Sequence, residues 1–386
     1  MMISTLVVGG GIGGLSLARE LAIRGLPVTV LEKAAQLNPI GAGIIMNPNA
    51  MRVLERNGLA EALRPNSWPY LMRETCDHRG RLLAVRDYRP LYDSGRLSKG
   101  ALVHRAHLLD VLHRGVPQEA VRFGVAVKTV DLTPDGVRIE TRRNGAFEAD
   151  LLVGADGIHS QVRRHAFGET EPLYMGYRSH RLLVDNVTGT RNFTEFLGRG
   201  RRIGLVPVSE KRLYVWTTFN SPRERPPILD SADRFRELFG QFSDERARRA
   251  LSQVRSPDEI ISTEIEEIRL DRWVRGRAVL LGDAAHAMTP NIGQGAGMAM
   301  EDAAVLAEEI ASAQSGAQRL EHALENYTRR RKPRVDSVMR ISREVGDAGQ
   351  RSNPIACWIR NLRIHREGRD ADKTLADLER LLAFPV

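Results

Sequence analysis

The chain has 386 residues, of which 42% are hydrophobic and 27% charged, a composition ordinary for a globular protein with ample core. Its formal net charge is +9, but no basic block is interleaved with aromatic residues, which argues against a nucleic-acid partner and favours anionic ligands. The distant Cys76 and Cys357 argue against disulfides and dithiol or zinc centres and predict a cytoplasmic protein, and no apolar run reaches the roughly 18 residues needed for membrane insertion.

Residues 5–33 predict a strand, a tight turn, a helix and a second strand. Gly9, Gly11 and Gly14 follow the first apolar run in Gly-x-Gly-x-x-Gly spacing. Such glycines permit the turn, let a pyrophosphate approach the main chain, and let the helix pack closely on the strand. Glu32 ends the second strand, where a carboxylate can bind an adenosine ribose. The stretch therefore predicts dinucleotide binding, with a simple glycine-rich turn as the alternative.

A second glycine-rich segment follows at residues 37–59. Gly41 and Gly43 predict a loop that passes close to a flat ligand, and Asn47 precedes a proline that is typical of a helix start. Residues 68–97 are polar and are predicted to be irregular.

The rest of the chain divides into helical and β patterns. Alternation between residues 174 and 219 predicts an antiparallel sheet in a second domain. The predicted helices and helical regions are 102–112, 231–254 and 297–313, and a charged helical arm that contains Arg329 to Lys332 follows them. The predicted strands are 125–130, 137–141, 181–184, 193–197, 202–208, 212–219 and 278–281, and residues 151–163 predict a buried strand, a loop and a helix.

Three further motifs join the first. Arg105 lies in VHRAHLL, Asp156 in GADGIHSQVR and Asp283 in GDAAHAMTPNIGQGAG. In this order, and from residue 3 to about residue 345, the motifs resemble the single-component flavoprotein aromatic hydroxylases of the para-hydroxybenzoate hydroxylase fold. The segment GAGIIMNPNA at 41–50 is most similar to the branch with salicylate hydroxylase, urate hydroxylase and zeaxanthin epoxidase.

The resemblance implies an α/β fold class with two domains and a C-terminal arm. Residues 1–70, 98–172 and 266–345 would form a Rossmann-like FAD-binding domain. Residues 71–97 and 173–265 would form an inserted, mainly antiparallel β-sheet substrate domain, and residues 346–386 a helical arm.

The resemblance also implies FAD as the cofactor. Arg105 would reach the pyrophosphate or ribityl chain, Asp156 and Gly157 would link the FAD site to NAD(P)H use, and Asp283 would bind a ribityl hydroxyl. The remaining predicted cofactor residues are Gly9, Gly11, Ile12, Gly13, Gly14, Glu32, Lys33, Gly43, Val127, Gly282, Pro290, Gly293, Gly295 and Ala296. Taken singly, Asp156 could cap the following helix, Gly282 and Asp283 could form a turn, and Arg105 could be a surface arginine.

The activity implied is that of an FAD-dependent monooxygenase. It would use NADH or NADPH and O2 to hydroxylate a small aromatic or heteroaromatic acid through a flavin C4a-hydroperoxide, as a monomer or homodimer. The alternatives are an epoxidase or hydroxylase of a larger lipid or polycyclic natural product, and a non-oxygenating FAD reductase. His104, His107 and His113 lack a carboxylate at metal-ligand spacing, so no metal is expected.

The predicted strands 202–208 and 212–219 suggest where substrate binds. If a three-residue loop joins them, even-numbered positions share a face, and Arg202, Tyr214 and Trp216 point the same way. Urate hydroxylase is similar to this chain here, with an arginine and a tyrosine in matching places. Arg202 and Tyr214 are therefore predicted catalytic residues, and the resemblance adds Pro290, whose segment would bring the main chain against the flavin ring. The alternatives are a solvent-facing surface, or a two-residue loop that separates the pair.

Overall fold

The computed structural model describes residues 2–37, 43–224, 226–227 and 230–384. Gly41, predicted to lie in a loop beside a flat ligand, is outside the described residues. The strands are β1 (Thr5–Val8), β2 (Val28–Glu32), β3 (Gly43–Met46), β4 (Ser67–Pro69), β5 (Met72–Asp77), β6 (Leu82–Asp87), β7 (Ala101–His104), β8 (Val121–Phe123), β9 (Val127–Leu132), β10 (Val137–Thr141), β11 (Ala146–Ala149), β12 (Leu151–Gly154), β13 (Leu173–Asp185), β14 (Phe193–Leu197), β15 (Arg201–Pro207), β16 (Arg212–Asn220), β17 (Ile261–Glu267), β18 (Val274–Arg275) and β19 (Ala278–Leu280). The helices are α1 (Ile12–Ala22), α2 (Pro48–Arg56), α3 (Ala60–Leu63), α4 (Arg89–Asp93), α5 (Arg105–Arg114), α6 (Gln161–Phe167), α7 (Ala232–Leu238), α8 (Glu245–Leu251), α9 (Asp283–His286), α10 (Gly295–Gln314), α11 (Leu320–Gly349), α12 (Pro354–Glu367) and α13 (Ala371–Leu382).

A six-stranded sheet with the order β18-β19-β12-β1-β2-β8 forms the first layer. The strand β1 pairs in parallel with β12 and β2, and every residue of β1 is buried. Helix α1 packs on α10, and α10 packs on α11. In parallel sheets of this kind ligands bind at the carboxyl ends of the strands, which places the glycine turn after β1 at the site.

A seven-stranded sheet with the order β17-β13-β16-β15-β14-β5-β6 forms the second layer. Its pairs are antiparallel except for β14 with β5. One face carries an apolar cluster with Phe196 and Phe219 that packs against Phe235, Phe239 and Phe242, in and just after α7. The opposite face therefore remains to meet the first layer.

Two local predictions are wrong. Residues 68–97 are mostly regular, because β5 and β6 extend the seven-stranded sheet and α4 follows them. The pairing partner of β5 is β14, more than 100 residues later, so no local pattern signals it. The predicted helix 102–112 begins only at Arg105, since residues 101–104 form β7 between β3 and β4.

The charged segment Arg329 to Lys332 is helical as predicted, and its Arg331 is only 2% exposed. Its Nε lies 2.7 Å from Asp302 Oδ1 and its Nη1 lies 2.5 Å from Glu301 Oε2. The other oxygen of Asp302 lies 2.6 Å from His286 Nε2. Although burial acts to raise it, His286 and Arg331 lower the pKa of Asp302 to about 2. The helix α11 is thus joined to the core by buried charges.

Substituting Asp302→Ala is expected to reduce the free energy of unfolding by about 3–5 kcal/mol, because buried Arg331 and His286 lose their shared partner. Urea unfolding measures the change. The matched control is Glu344→Ala, which removes an exposed helical pair with Arg340 and should cost less than about 1 kcal/mol. Equal losses in the two variants would contradict a stabilising role of the buried cluster.

Candidate functional site

The glycine turn after β1 opens a cleft at the start of α1. Gly9 has φ of 110°, and a Cβ there would lie 2.3 Å from Ala155 O. A Cβ on Gly14 would lie 1.9 Å from Gly9 O, whereas a Cβ on Gly11 would meet no atom within 4 Å. Two of the glycines are therefore required by packing and the third faces open space. Ile12 and Gly13 begin α1, whose free N–H groups suit a phosphate.

The carboxylate of Glu32 lies at the same turn. Its Oε2 accepts a hydrogen bond from Gly10 N over 2.7 Å, and its Oε1 accepts one from Ala34 N over 2.8 Å. Lys33, the next residue, is exposed. Val125 N donates to the Glu32 carbonyl, and Val127 begins β9 two residues later. Contact of these residues with a cofactor stays a prediction.

The second wall of the cleft carries opposite charges. Arg105 begins α5 with an exposed side chain, and Asp283 follows Gly282, whose φ is 60°. Burial raises the pKa of Asp283, while His286 and Arg105 act to lower it. Burial and the positive charge of Arg181 lower the pKa of Arg105. Asp283 nonetheless has exposed surface.

Asp156 caps the helix that follows it. It accepts hydrogen bonds from Ser160 Oγ over 2.5 Å, Gln161 N over 2.6 Å and Val162 N over 3.2 Å. This is the capping alternative considered for the sequence. The adjacent Gly157 has φ of 80° and would offer open space to a Cβ. A role of either residue toward a cofactor stays a prediction.

A tight loop leads into the long helix α10. Pro290 begins a 3-10 turn, and Gly293 ends it in the left-handed conformation with φ of 65°. Gly295 and Ala296 then form the first turn of α10, where main-chain N–H groups have no helical partner. Those groups and the positive end of the helix dipole can face the electron-rich edge of a flavin.

Two asparagines before and in α2 hold this loop. Asn47 Nδ2 donates to Gly293 O over 2.7 Å, and Asn49 Nδ2 donates to Gln294 Oε1 over 2.8 Å. Asn49 also binds Glu301 Oε1 over 2.8 Å, which joins α2 to the buried charges of α10. These contacts were not predicted from sequence, although Asn-Pro-Asn is part of the family motif.

The hairpin of β15 and β16 has the predicted geometry. A three-residue loop, 209–211, joins the strands, and the even-numbered Arg202, Tyr214 and Trp216 share one face. The guanidinium carbon of Arg202 lies 5.1 Å from the centre of the Trp216 ring. The register is set by the facing pairs Val208–Arg212, Val206–Tyr214, Gly204–Trp216 and Arg202–Thr218.

This face is covered by β3, a strand of the three-stranded sheet β3-β7-β4, and is not turned to solvent. Tyr214 is only 8% exposed, and a Cβ on Gly43 would lie 2.6 Å from its ring. Phe193 packs edge-on against Trp216 with ring centres 6.4 Å apart. The face therefore supplies an aromatic wall beside β3.

Glu195 was missed from sequence and binds Arg202. Its Oε1 lies 2.8 Å from Arg202 Nε and 2.5 Å from Nη2, and its Oε2 binds Arg73. Although burial acts to raise it, the two arginines lower the pKa of Glu195 to about 2. Arg202 Nη1 donates to Asn291 Oδ1 over 2.6 Å. A glutamate in the middle of the apolar strand FTEFL was the signal that could have indicated this partner.

Arg181 was also missed. It faces Trp216 across the β13–β16 pairing, and its Nη2 donates to Thr263 Oγ1 over 3.0 Å. Across the described ranges no carboxylate lies within ion-pair distance of Arg181. Burial raises the pKa of Tyr214 to about 12 against the lowering effect of Arg181. The phenol is therefore protonated at neutral pH.

The arrangement fits a flavin dinucleotide. It provides the glycine turn after β1, the free N–H groups at the start of α1, the carboxylate of Glu32 and the loop at Gly293, whose main chain can face a flavin ring. A family model described as "FAD binding domain" matches residues 2–342. The chain belongs to this family. It binds FAD and is a flavoprotein monooxygenase, and the predicted family and α/β fold class are confirmed.

Individual relatives span nearly the whole chain. Aurachin C monooxygenase/isomerase of Stigmatella aurantiaca is 35% identical over 93% of this chain and 92% of its own length. The 2-heptyl-3-hydroxy-4(1H)-quinolone synthase of Pseudomonas aeruginosa is 31% identical over 93% and 92%. The structure of Klebsiella pneumoniae HpxO with FAD and uric acid has 26% identity and a TM-score of 0.88, and the match covers 98% of this chain and 96% of HpxO. No helix among the described residues of this flavoprotein is long and apolar enough to cross a membrane.

The cradle predicts different outcomes for two glycines. Gly11→Ala should leave the melting temperature of the apoprotein unchanged, because its φ of −80° suits alanine and the methyl group meets no protein atom. It should weaken FAD binding at least about tenfold, because the methyl group enters the phosphate approach. Flavin fluorescence titration measures the binding. Gly14→Ala, the matched control, should instead lower the melting temperature. Undiminished FAD affinity of Gly11→Ala would refute the assigned phosphate site.

A second variant tests the ribose contact. Glu32→Ala should lower FAD occupancy after gel filtration, because the hydrogen-bond acceptor for the ribose hydroxyls is lost. The ratio of flavin to protein absorbance gives the occupancy. Glu148→Ala, at an exposed glutamate of β11, is the control and should keep wild-type occupancy. Full occupancy in Glu32→Ala would remove Glu32 from the site.

Proposed function

We propose that this monooxygenase uses NADH or NADPH and O2 to hydroxylate an uncharged heteroaromatic compound of the 4-quinolone class. The observation that carries the proposal is the closed ion pair of Arg202 with Glu195. Arg202 is 1% exposed, and donors on all three of its nitrogens bind Glu195 or Asn291. Such an arginine offers little to a substrate carboxylate. We therefore infer a neutral substrate, whereas the sequence predicted an acidic one.

The remaining surface suits a flat neutral ring. Arg73, Glu195 and Arg202 together keep one net positive charge, but Arg73 is 8% exposed and also lies 4.8 Å from the Phe193 ring centre. Phe193, Tyr214 and Trp216 present aromatic surface, which stacks with conjugated ligands. Arg181, which faces Trp216 and has no carboxylate within ion-pair distance among the described residues, adds one cation, so the wall combines ring area with a hydrogen-bond donor suited to the carbonyl oxygen of a neutral ring.

Tyr214 supplies the polar recognition. Within the described residues its hydroxyl forms no hydrogen bond to another group, and its raised pKa keeps the proton in place. A neutral phenol can donate to the carbonyl oxygen of a 4-quinolone and fix its orientation. The names of the related quinolone synthase and aurachin C monooxygenase are in line with a substrate of this kind.

FAD, when bound, would carry electrons from NAD(P)H to O2 and supply the oxidising oxygen. The chain's own part is to hold and cover the reactants. Glu32, Arg105 and Asp283 would hold FAD, and the Gly293 loop would bring N–H groups to the flavin edge. Helix α13 packs Leu378 and Leu382 onto the cluster that contains Tyr214, which excludes water on that side. The cytoplasmic location and the monomeric or dimeric state stay predictions.

The test is a substrate screen with the purified holoenzyme. NADH and NADPH oxidation is followed with 2-alkyl-4-quinolones, salicylate, aminohydroxybenzoates and urate, and each product is analysed by mass spectrometry. We expect stimulation and one added oxygen with the neutral quinolones, and a kcat/KM at least about tenfold lower with the acids, because Glu195 already holds Arg202 and a buried carboxylate without that partner is costly.

A matched pair isolates the charge. A 4-quinolone with a 2-methyl group and its 2-carboxylate analogue differ mainly in charge at neutral pH. Preference for the carboxylate would refute the uncharged substrate while leaving the monooxygenase intact. Oxidation of NAD(P)H without oxygen incorporation into any compound of the panel would count against hydroxylation of these classes.

A further inference from the structure

The helix α12 presents apolar side chains to solvent. Ile355, Trp358 and Ile359 are 69%, 64% and 49% exposed, and their spacing of three and four residues places them on one side of the helix. Ile355 and Trp358 are the two most exposed large apolar side chains in the described part of the chain. These three residues are called the α12 patch. A cluster of this kind on a surface helix marks an interaction site.

Polar contacts hold α12 against the rest of the protein and leave the patch facing solvent. Arg360 is 4% exposed, and its Nη1 donates to Gly198 O over 3.1 Å and to Gly349 O over 3.2 Å. His365 Nδ1 lies 3.3 Å from Leu83 O, at the edge strand β6. The helix thus buries a charged side chain and exposes apolar ones, the reverse of an ordinary surface helix.

Unpaired arginines lie near both ends of α12. They share high exposure and have no carboxylate within ion-pair distance among the described residues. They are called the arginine rim and are Arg199, Arg351, Arg366 and Arg369. Arg199 belongs to the rim because the next residue, Gly200, donates its N–H to Arg351 O over 2.7 Å. Glu367, the one acid of α12, binds Arg363 over 2.6 Å and Asp370 caps α13, so neither of these carboxylates neutralises the rim.

We propose that the α12 patch and the arginine rim dock this protein on the surface of an anionic lipid bilayer. Tryptophan and isoleucine on one side of a helix enter the boundary between head groups and acyl chains, and flanking arginines bind lipid phosphates. A second copy of the chain fits less well, because a twofold contact centred on the patch would bring the two arginine rims together. The docking is peripheral and goes beyond the proposed function.

The apolar part is tested by co-sedimentation of the full-length holoenzyme with vesicles. We expect binding to vesicles of phosphatidylcholine with phosphatidylglycerol, weaker binding to phosphatidylcholine alone, and loss of binding at high salt. Trp358→Ser with Ile359→Ser should reduce the partition coefficient at least about tenfold because the inserted side chains are lost. The control is Leu173→Ser with Val187→Ser, which changes exposed apolar residues at the start of β13 and just after its end. It should bind like wild type.

The basic part has its own pair of variants. Arg366→Glu with Arg369→Glu should abolish binding to the anionic vesicles, whereas Arg142→Glu with Arg143→Glu, in an exposed turn, should not. The fluorescence of Trp358 should shift to the blue with vesicles, and Trp358→Phe should lose that shift and still bind. Flavin content and melting temperature verify folding of each variant. No sedimentation of wild type, equal binding of patch and control variants, or a dimer that disappears only in the patch variant would overturn the proposal.

Discussion

The side chain of Arg202 is the constraint on which the site depends, because it binds Glu195 in the seven-stranded sheet and Asn291 in the loop before α10. Asn291 in turn donates to Tyr177 and to the Ser342 carbonyl of α11. The position of the aromatic wall relative to the flavin loop is therefore set by one buried network, and its charges are stabilised only as a group.

Features that depend on neighbours in sequence were predicted well. The turn at Gly9 and Gly14 follows from spacing, because a strand, a turn and a helix occupy consecutive residues. The shared face of Tyr214 and Trp216 follows from the two-residue period of a strand and the length of one loop. The strand 193–197 was predicted with the bounds that the structure has.

Features that depend on distant partners were not predicted. The polar residues 68–97 gave no sign of β5, because that strand is completed by β14 across a long separation. The burial of Arg331 was not predicted, since its partners Glu301 and Asp302 lie on another helix. Arg202 was correctly predicted to share a face with Trp216. Whether its guanidinium can bind a substrate depends on Glu195, which lies on another strand and contacts Arg202 only in the folded sheet. The division of cofactor contacts among the named residues remains a set of predictions.

The contact between Gly43 and Tyr214 limits how this enzyme can evolve. The phenol rests directly on the main chain of β3, without an intervening side chain that could be trimmed to make room. A larger ligand at this wall would have to displace β3. Because β3 pairs with β7 and main-chain atoms are closely packed there, such a displacement is small. New specificities would more readily arise at Leu378 and Leu382 of α13, where shortening a side chain creates volume directly.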